Sequence, residues 1–307
     1  METDENLAPY PGAEAPRRQY VVAAGQVHIA VHEWGEADAP PLFLVHGGFD
    51  FARTYEVFAP LIAADGWRVV SWDQRGHGDS EHAELYSFEA DLRDATAVFD
   101  AVTDAPAPVI GHSKGGVLMI QLADAQPFRF SHLVNLDGIP NKRRVPDVSE
   151  HDRSRMLAGD VENWLDFRRG VSAKVRRPDT LDGLAHRRRR MNPRLPIEWL
   201  RHLVTVGARH DPDGWRWKID ASMRLGGFGP WRPEWTASLI PALGMPFLGL
   251  LGDIPEEMGF GTKLHHVQPF LSPTARCEVI DDVGHFVHIE QPHRVAGIVL
   301  DFIRETS

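Results

Sequence analysis

A serine flanked by glycines is the residue of this sequence best suited to nucleophilic chemistry. It stands in Gly111-His112-Ser113-Lys114-Gly115, after the apolar run Pro108-Val109-Ile110 and before the helix-like stretch Val117 to Ala125. Small residues beside a serine permit a strained strand-to-helix turn. Such a turn raises the hydroxyl above the sheet and places the positive end of the helix dipole beneath a developing oxyanion. We therefore predict that Ser113 is the nucleophile of an acyl transfer.

A serine hydroxyl is a poor nucleophile unless a base lies within hydrogen-bond reach, and the chain has sixteen histidines. His285 follows the last strand-like run and precedes the last helix. This position suits a site whose residues occur along the chain in the order nucleophile, acid and then base. His288 is the nearest alternative. We expect packing or hydrogen-bonding roles for His112, which should point away from the serine, and for His46, which opens a buried turn. His285 is the predicted base.

An oxyanion is stabilised by backbone N–H groups, and two positions can supply them. One is Lys114, directly after the nucleophile. The other is Gly48 (or Phe49), in the loop after the third strand, where glycine allows the backbone to approach a substrate closely. The Lys114 side chain itself is expected to be solvated.

The segments that must position these residues alternate between strand and helix patterns. Strands are expected at 20–24, 27–34, 42–45, 68–72, 108–110, 132–136, 245–251 and 275–281, and helices at 54–64, 88–102, 117–125 and 292–304. The run Leu42-Phe43-Leu44-Val45 does not alternate, which favours a strand buried on both faces. Strands separated by helices of ten or more residues imply βαβ units. The predicted fold class is α/β, with a mostly parallel, doubly wound sheet.

Four segments resemble the α/β-hydrolase superfamily, most of all its carboxylesterases, serine hydrolase-like proteins and C–C bond hydrolases. In chain order they are Leu44-Val45-His46-Gly47-Gly48, Asp73-Gln74-Arg75-Gly76-His77-Gly78-Asp79-Ser80, Gly111-His112-Ser113-Lys114-Gly115-Gly116 and Gly284-His285-Phe286-Val287-His288-Ile289-Glu290-Gln291-Pro292. The resemblance implies an α/β-hydrolase core at 19–140 and 236–307, interrupted by a helical cap at 141–235. Residues 1–18, acidic and rich in proline, are expected to be a disordered leader.

The third member of a Ser-His-acid triad departs from the family pattern. The family usually carries its acid in a Gly-x-x-Asp turn after the strand that follows the cap, but three residues after Gly252 stands Pro255. Asp253 lies in that same turn. Asp137 ends the strand Leu133 to Leu136, where relatives similar to haloalkane dehalogenases carry their acid. We favour Asp137 as the acid, with Asp253 as the alternative.

The charge of the chain is unevenly distributed. The net charge is −10, yet residues 141–235 carry +8 and the remainder −18. This asymmetry predicts that the basic segment is attracted to the rest of the protein. The run Arg187 to Arg190 has no nucleic-acid recognition motif beside it, so we predict ion pairs or a solvated helix face and no nucleic-acid partner. Candidate residues for an apolar acyl pocket in this segment are Met156, Leu157, Trp164 and Trp199.

The predicted function is hydrolysis of small or medium apolar carboxylic esters through an acyl-enzyme. The alternatives are C–C bond hydrolysis of ring-fission products, in which a basic cap would meet an anionic substrate, and a non-catalytic protein that binds a small ligand. No cofactor is expected. No metal is expected either, because His265-His266 and His210-Asp211 lack convincing ligand spacing. The single cysteine, Cys277, and the lack of a signal peptide or a long apolar run predict a cytoplasmic protein without membrane contact. The oligomeric state stays open, a dimer included.

Overall fold

A twisted eight-stranded sheet lies at the centre of the protein. The computed structural model describes residues 10–140, 158–159, 161–163, 165–167, 169–170, 177–223 and 233–307. Its strands are β1 (Arg18–Ala24), β2 (Val27–Trp34), β3 (Pro41–Val45), β4 (Arg68–Trp72), β5 (Ala107–His112), β6 (Phe130–Leu136), β7 (Ala208–Asp211), β8 (Gly214–Trp217), β9 (Phe247–Gly252) and β10 (Ala275–Ile280). The sheet order is β1-β2-β4-β3-β5-β6-β9-β10, with β7 and β8 in a separate hairpin. From β4 to β10 every pairing is parallel, while β2 pairs antiparallel with β1 and β4.

Helices cover both faces of this sheet. The α-helices include α1 (Phe58–Ala63), α2 (Phe88–Val102), α3 (Lys114–Ala125), α4 (Leu181–Met191), α5 (Ile197–Gly207), α6 (Leu264–Val267), α7 (Val287–Glu290) and α8 (Pro292–Thr306). The described residues between 158 and 170 are also helical. Apolar residues of α2 and α3 form one buried cluster with the sheet, and those of α1 and α8 form a second. Because α2 and α3 lie on one face and α1 and α8 on the other, the predicted doubly wound α/β architecture is confirmed.

Two local predictions differ from the structure. The helix expected over 54–64 is a 3₁₀ turn, Ala52–Tyr55, followed by the short helix α1. The segment expected to be helical between residues 141 and 235 also contains the hairpin β7–β8, joined by Asp211-Pro212-Asp213-Gly214. Proline, aspartate and glycine in this order are typical of a tight turn, and Gly214 has a φ of 130°. The high arginine content of the segment obscured this signal.

The residues before β1 pack against the domain. Tyr10 lies edge-on to Trp199 of α5, with ring centroids 5.1 Å apart. The N–H of Glu14 donates to the Glu56 carbonyl at 2.8 Å, and the Trp34 indole donates to the Glu14 carbonyl at 2.8 Å. Residues 10–17 are therefore held by aromatic and backbone contacts, in contrast to the disordered leader expected over 1–18. Residues 1–9 lie outside the described part.

The described part of residues 141–235 (a range called the insert below) contacts the rest of the protein through ion pairs. Arg194, between α4 and α5, pairs with Glu290 at 2.7 Å, and Lys218 pairs with Asp79 at 2.7 Å. His202 of α5 lies 2.8 Å from Glu56. These contacts join basic side chains of the insert to acidic side chains outside it, in agreement with the attraction predicted from the charge asymmetry. Among the described residues, no helix has both the length and the apolar character needed to cross a bilayer.

Candidate active site

Ser113 occupies the turn between β5 and α3. Its backbone has φ 51° and ψ −120°, a conformation that costs energy for a residue with a side chain. The turn is held because the Ser113 N–H donates to the Leu136 carbonyl at 3.0 Å and its carbonyl accepts from the Val117 N–H at 3.1 Å. All six residues of β5 are buried, whereas Ser113 is partly exposed. The predicted strand-turn-helix setting thus presents the Ser113 hydroxyl to an adjoining cavity.

His285 faces the carboxylate of Asp137. Its Nδ1 lies 2.6 Å from Asp137 Oδ2, and both residues are buried. Asp137 follows β6 with a φ of 47°, and its Oδ1 accepts from the Gly252 N–H at 3.3 Å. A carboxylate on Nδ1 fixes the tautomer of the ring and leaves Nε2 available on the opposite edge. Of the two acids considered from the sequence, Asp137 is the one that the structure places beside His285.

Asp253 binds the backbone of the loop that carries His285. Its Oδ1 accepts from the Val283 N–H at 3.1 Å, two residues before the histidine. Glu256 accepts from the His285 N–H at 2.6 Å, and Glu290 accepts from the Gly284 N–H at 2.9 Å. Three consecutive N–H groups of this loop therefore donate to three carboxylates. The sequence pointed to Asp253 as a candidate acid but gave no sign that it and two glutamates would accept from the backbone of this loop.

The loop after β3 is shaped by two neutral histidines. His46 accepts from the Gln74 N–H at 2.9 Å through Nε2 and donates through Nδ1 to the Gly47 carbonyl at 2.7 Å. His77 Nε2 accepts from the Phe49 N–H at 3.2 Å. The Phe49 N–H, one of the two candidates for binding an oxyanion, is thereby engaged. The Gly48 N–H has no such partner within the described ranges.

The side chain of Lys114 is not solvated, contrary to expectation. Its Nζ lies 2.6 Å from Asp91 Oδ2 on α2, and only 12% of the side chain is exposed. Asp91 is itself buried, so the ion pair ties the first residue of α3 to α2. Lys114 is also one of the residues that line the cavity beside Ser113. Its backbone N–H remains at the N-terminus of α3, as predicted.

The histidines close to Ser113 and His285 in sequence, His112 and His288, have packing and hydrogen-bonding roles. His112 Nε2 donates to the His285 carbonyl at 2.9 Å, so its ring supports the histidine loop. His288 is fully buried against His112 and Tyr55, with ring centroids 4.6 and 4.9 Å away. Burial lowers the pKa of His46 to about 4 and that of His288 to about 3, and it lowers the pKa of His77 and His112 as well. These four rings are neutral in the folded protein.

This set of neutral histidines predicts loss of stability in mild acid. In the unfolded chain a histidine takes up its proton near pH 6.5, whereas His46 and His288 do so only near pH 4 and pH 3 in the folded protein. Between these values the unfolded state binds more protons, so the free energy of unfolding falls as the pH falls. At pH 5 we expect each of the two to cost about 2 kcal/mol relative to pH 7.5.

Urea unfolding of His288→Leu at pH 7.5 and pH 5 tests this expectation. Neither nitrogen of His288 has a hydrogen-bond partner among the described residues, so leucine removes the titrating group without breaking a bond. The variant should lose about 2 kcal/mol less than the wild type between the two pH values. Equal losses in both proteins would contradict the assignment.

A cavity of about 230 Å³ adjoins Ser113 and His285. Apolar side chains dominate the described part of its wall, among them Phe88, Val117, Met258, Phe260 and Phe286. Trp199, a candidate for this pocket, is not among its lining residues and is buried in an apolar cluster that α4 and α5 form with Phe51 and Phe286. Met156, Leu157 and Trp164 lie outside the described residues.

One charged residue of the cavity wall, Asp50, was missed by sequence reasoning. It is 1% exposed and stands between Phe49 and Phe51, close after the glycines of the β3 loop. Its sequence context, a carboxylate between two phenylalanines directly after the glycines of the β3 loop, is the pattern that could have indicated a role in the site. Arg188 of α4 approaches it to 4.0 Å and donates to the Phe49 carbonyl at 2.9 Å. One arginine of the basic run is therefore buried against the site.

The described residues include one group with the composition of a metal site. Ligand atoms of His32, Asp73 and Asp79 lie within 4.8 Å of one another. The Asp73 oxygens, however, accept from the Ala52 N–H and the Asp79 N–H, each at 2.7 Å, and Asp79 pairs with Lys218. These bonds tie the loop after β4 to its neighbours, which explains the cluster without a metal.

The parallel sheet, the serine turn after β5 and the histidine loop before α7 define the α/β-hydrolase class of fold. The model of the Alpha/beta hydrolase family matches residues 42–298, and the chain belongs to this family. It is 30% identical to the sn-1-specific diacylglycerol lipase ABHD11 of Xenopus laevis over 88% of this chain and 81% of that protein. With the Mus musculus protein of the same name it shares 24% identity over 88% and 82% of the two chains.

A solved structure shares the architecture. The thioesterase domain from the curacin biosynthetic pathway superposes with a TM-score of 0.79 at 22% identity, covering 92% of this chain and 99% of that one. At this level of identity the likeness shows the fold. The hydrolase family is thus established from sequence and structure together.

Proposed function

We propose that this protein is a serine hydrolase that cleaves carboxylic esters through an acyl-enzyme. The observation that carries the proposal is the shared cavity of Ser113 and His285, with Asp137 2.6 Å from His285 Nδ1. In the proposed reaction His285 Nε2 takes the Ser113 proton as the hydroxyl attacks the ester carbonyl. The imidazolium, stabilised by Asp137, then protonates the departing alcohol, and water repeats the sequence to release the acid.

The oxyanion of each tetrahedral intermediate is assigned to the N–H groups of Gly48 and Lys114. Lys114 is the first residue of α3, so its N–H lies at the positive end of the helix dipole. Gly48 is preferred over Phe49 because the Phe49 N–H already donates to His77. The proposed steps use only groups of the chain and water.

The cavity supports small or medium apolar esters as the substrate class. Its described walls are mainly aromatic and aliphatic, and a volume of about 230 Å³ accommodates a short acyl or alkyl group. We further propose that the insert, residues 141–235, is a cap over the core, because its α4 brings Arg188 against the β3 loop.

Labelling with a fluorophosphonate tests the proposal. We expect stoichiometric modification of Ser113, located by mass spectrometry, and hydrolysis of p-nitrophenyl esters that Ser113→Ala lowers by 10³-fold or more. Ser272→Ala, at a surface position of the same residue type, should label and turn over as the wild type does. A protein that resists labelling would contradict the proposal and favour the ligand-binding alternative.

C–C bond hydrolysis is the second candidate, and its motivation was the basic insert. In the described part of the insert, Arg187, Arg188, Arg194 and Arg216 all approach carboxylates of the chain itself. This pairing weakens the case for an anionic substrate. Turnover of a ring-fission dienoate faster than any p-nitrophenyl ester would reverse the preference.

A further inference from the structure

Asp50 is a buried carboxylate without a use in the proposed reaction. It lies in the wall of the cavity that Ser113 and His285 share, and it is 1% exposed. Neither of its oxygens has a hydrogen-bond partner among the residues that the structure describes. A buried carboxylate left in this state destabilises the folded protein, since it has lost its hydration without replacement. A ligand that donates hydrogen bonds to the Asp50 oxygens would remove this destabilisation, which gives a reason for the buried carboxylate.

The surroundings of Asp50 restrict what that ligand can be. The Arg188 guanidinium stands 4.0 Å from Asp50 Oδ1, too far for a hydrogen bond but close enough to balance the charge. Burial raises the pKa of Asp50 to about 6, and the charge of Arg188 opposes this rise. The Phe51 N–H and the Thr54 hydroxyl lie close enough to oppose it too, but neither meets the distance and angle of a hydrogen bond to the carboxylate. Asp50 is therefore mostly ionised at neutral pH and acts as an acceptor only.

An uncharged donor suits this subsite better than a cation. The Arg188 guanidinium already neutralises the carboxylate, so an ammonium group would bring an excess positive charge into a mostly apolar cavity. A hydroxyl group loses much less hydration on entry and can donate directly to a carboxylate oxygen. The acceptor lies two residues after Gly48, whose N–H is assigned to the oxyanion, and it lines the same cavity as Ser113 and His285.

We propose that Asp50 forms a specificity subsite for a hydroxyl group near the scissile bond, so that the preferred substrates are hydroxy esters. This inference rests on the proposed esterase function and narrows its substrate class. Hydrogen bonds to a charged acceptor are strong enough to change kcat/KM by about 10- to 100-fold. A site that offers a buried acceptor to a hydroxyl discriminates sharply against an analogue without it.

The test compares matched esters in each variant. The p-nitrophenyl ester of 3-hydroxybutanoate is paired with that of butanoate, and on the alcohol side 2-hydroxyethyl butanoate is paired with propyl butanoate. For the wild type we expect kcat/KM to favour the hydroxylated member of at least one pair by about 10-fold or more. In Asp50→Leu, which is nearly isosteric, that ratio should fall to about one or below. Asp50→Asn, which keeps the shape and loses the charge, should lower the ratio in the same direction.

Asp124→Leu, at an exposed acid of α3, is the matched control and should retain the wild-type ratio. A ratio near one in the wild type for both pairs overturns the subsite, and so does a preference that survives in both Asp50 variants. Fluorophosphonate labelling of Ser113 is measured on the same samples. Failure of labelling in the wild type would contradict the esterase proposal itself, and the two failures are thereby separated.

Discussion

Replacement of Asp137 by asparagine is expected to lower kcat/KM for ester hydrolysis by about 10⁴-fold. The carboxylate lies 2.6 Å from His285 Nδ1. In the proposed reaction it selects the tautomer that leaves Nε2 unprotonated, and it stabilises the imidazolium. An amide in its place can donate to Nδ1, which selects the opposite tautomer. The backbone should not change, because asparagine tolerates the φ of 47° found at this position.

Asp253→Asn is the matched control for this experiment. Asp253 accepts from the Val283 N–H, and the amide oxygen of asparagine can accept the same bond. We expect its kcat/KM to stay within about tenfold of the wild type. Both variants are to be compared by thermal unfolding, so that a loss of activity is separated from a loss of structure. Near-full activity in Asp137→Asn together with a collapse in Asp253→Asn would contradict the assignment of the acid.

Gly115→Ala is expected to destabilise the protein by about 3 kcal/mol or more and to abolish activity. Gly115 is the second residue of α3, and a Cβ there would lie 2.3 Å from the Val45 carbonyl oxygen and 2.7 Å from that of His46. Both contacts are with backbone that cannot rotate away. The helix would have to move off β3, and Ser113 at its N-terminus would move with it. Urea unfolding gives the loss of stability, and fluorophosphonate labelling reports on the serine turn.

Gly297→Ala, at another helical glycine, is expected to stabilise the protein, whereas Gly115→Ala destabilises it. Gly297 lies within α8, and a Cβ there would meet nothing within 4 Å. Alanine reduces the freedom of the unfolded chain and has the higher helix propensity, so the free energy of unfolding should rise by about 0.5–1 kcal/mol. If both variants lowered the free energy of unfolding by similar amounts, the close approach of α3 to β3 would not explain the loss of stability in Gly115→Ala.

The positions of Ser113 and His285 could be predicted because each is marked by local sequence. The serine turn needs small residues at fixed offsets after a strand, and the histidine loop precedes the last helix. The acid was ambiguous for a spatial reason. β6 and β9 are neighbours in the sheet, with Leu136 opposite Leu250, so residues after either strand can reach the same imidazole. Linear sequence does not contain that adjacency.

Side-chain partners were predicted less well than backbone elements. Lys114 was expected in solvent because lysine usually lies there, yet a buried acid on a helix distant in sequence pairs with it. Asp50 drew no attention because its significance comes from a cavity formed by several loops. Glu256 accepts from the His285 N–H, and no local sequence pattern marks it for that contact. In each case the partner is set by packing between segments far apart in the chain.

The adjacency of β6 and β9 has an evolutionary consequence. The Asp137 N–H donates to the Leu250 carbonyl at 2.7 Å, so the two strand ends are fixed side by side opposite one histidine. We expect a carboxylate placed at either strand end to approach the same ring. A sequence with an acid at both ends therefore keeps a partner for the histidine when one of the two is replaced. The acid has a route from one strand to the other that does not pass through a protein without it.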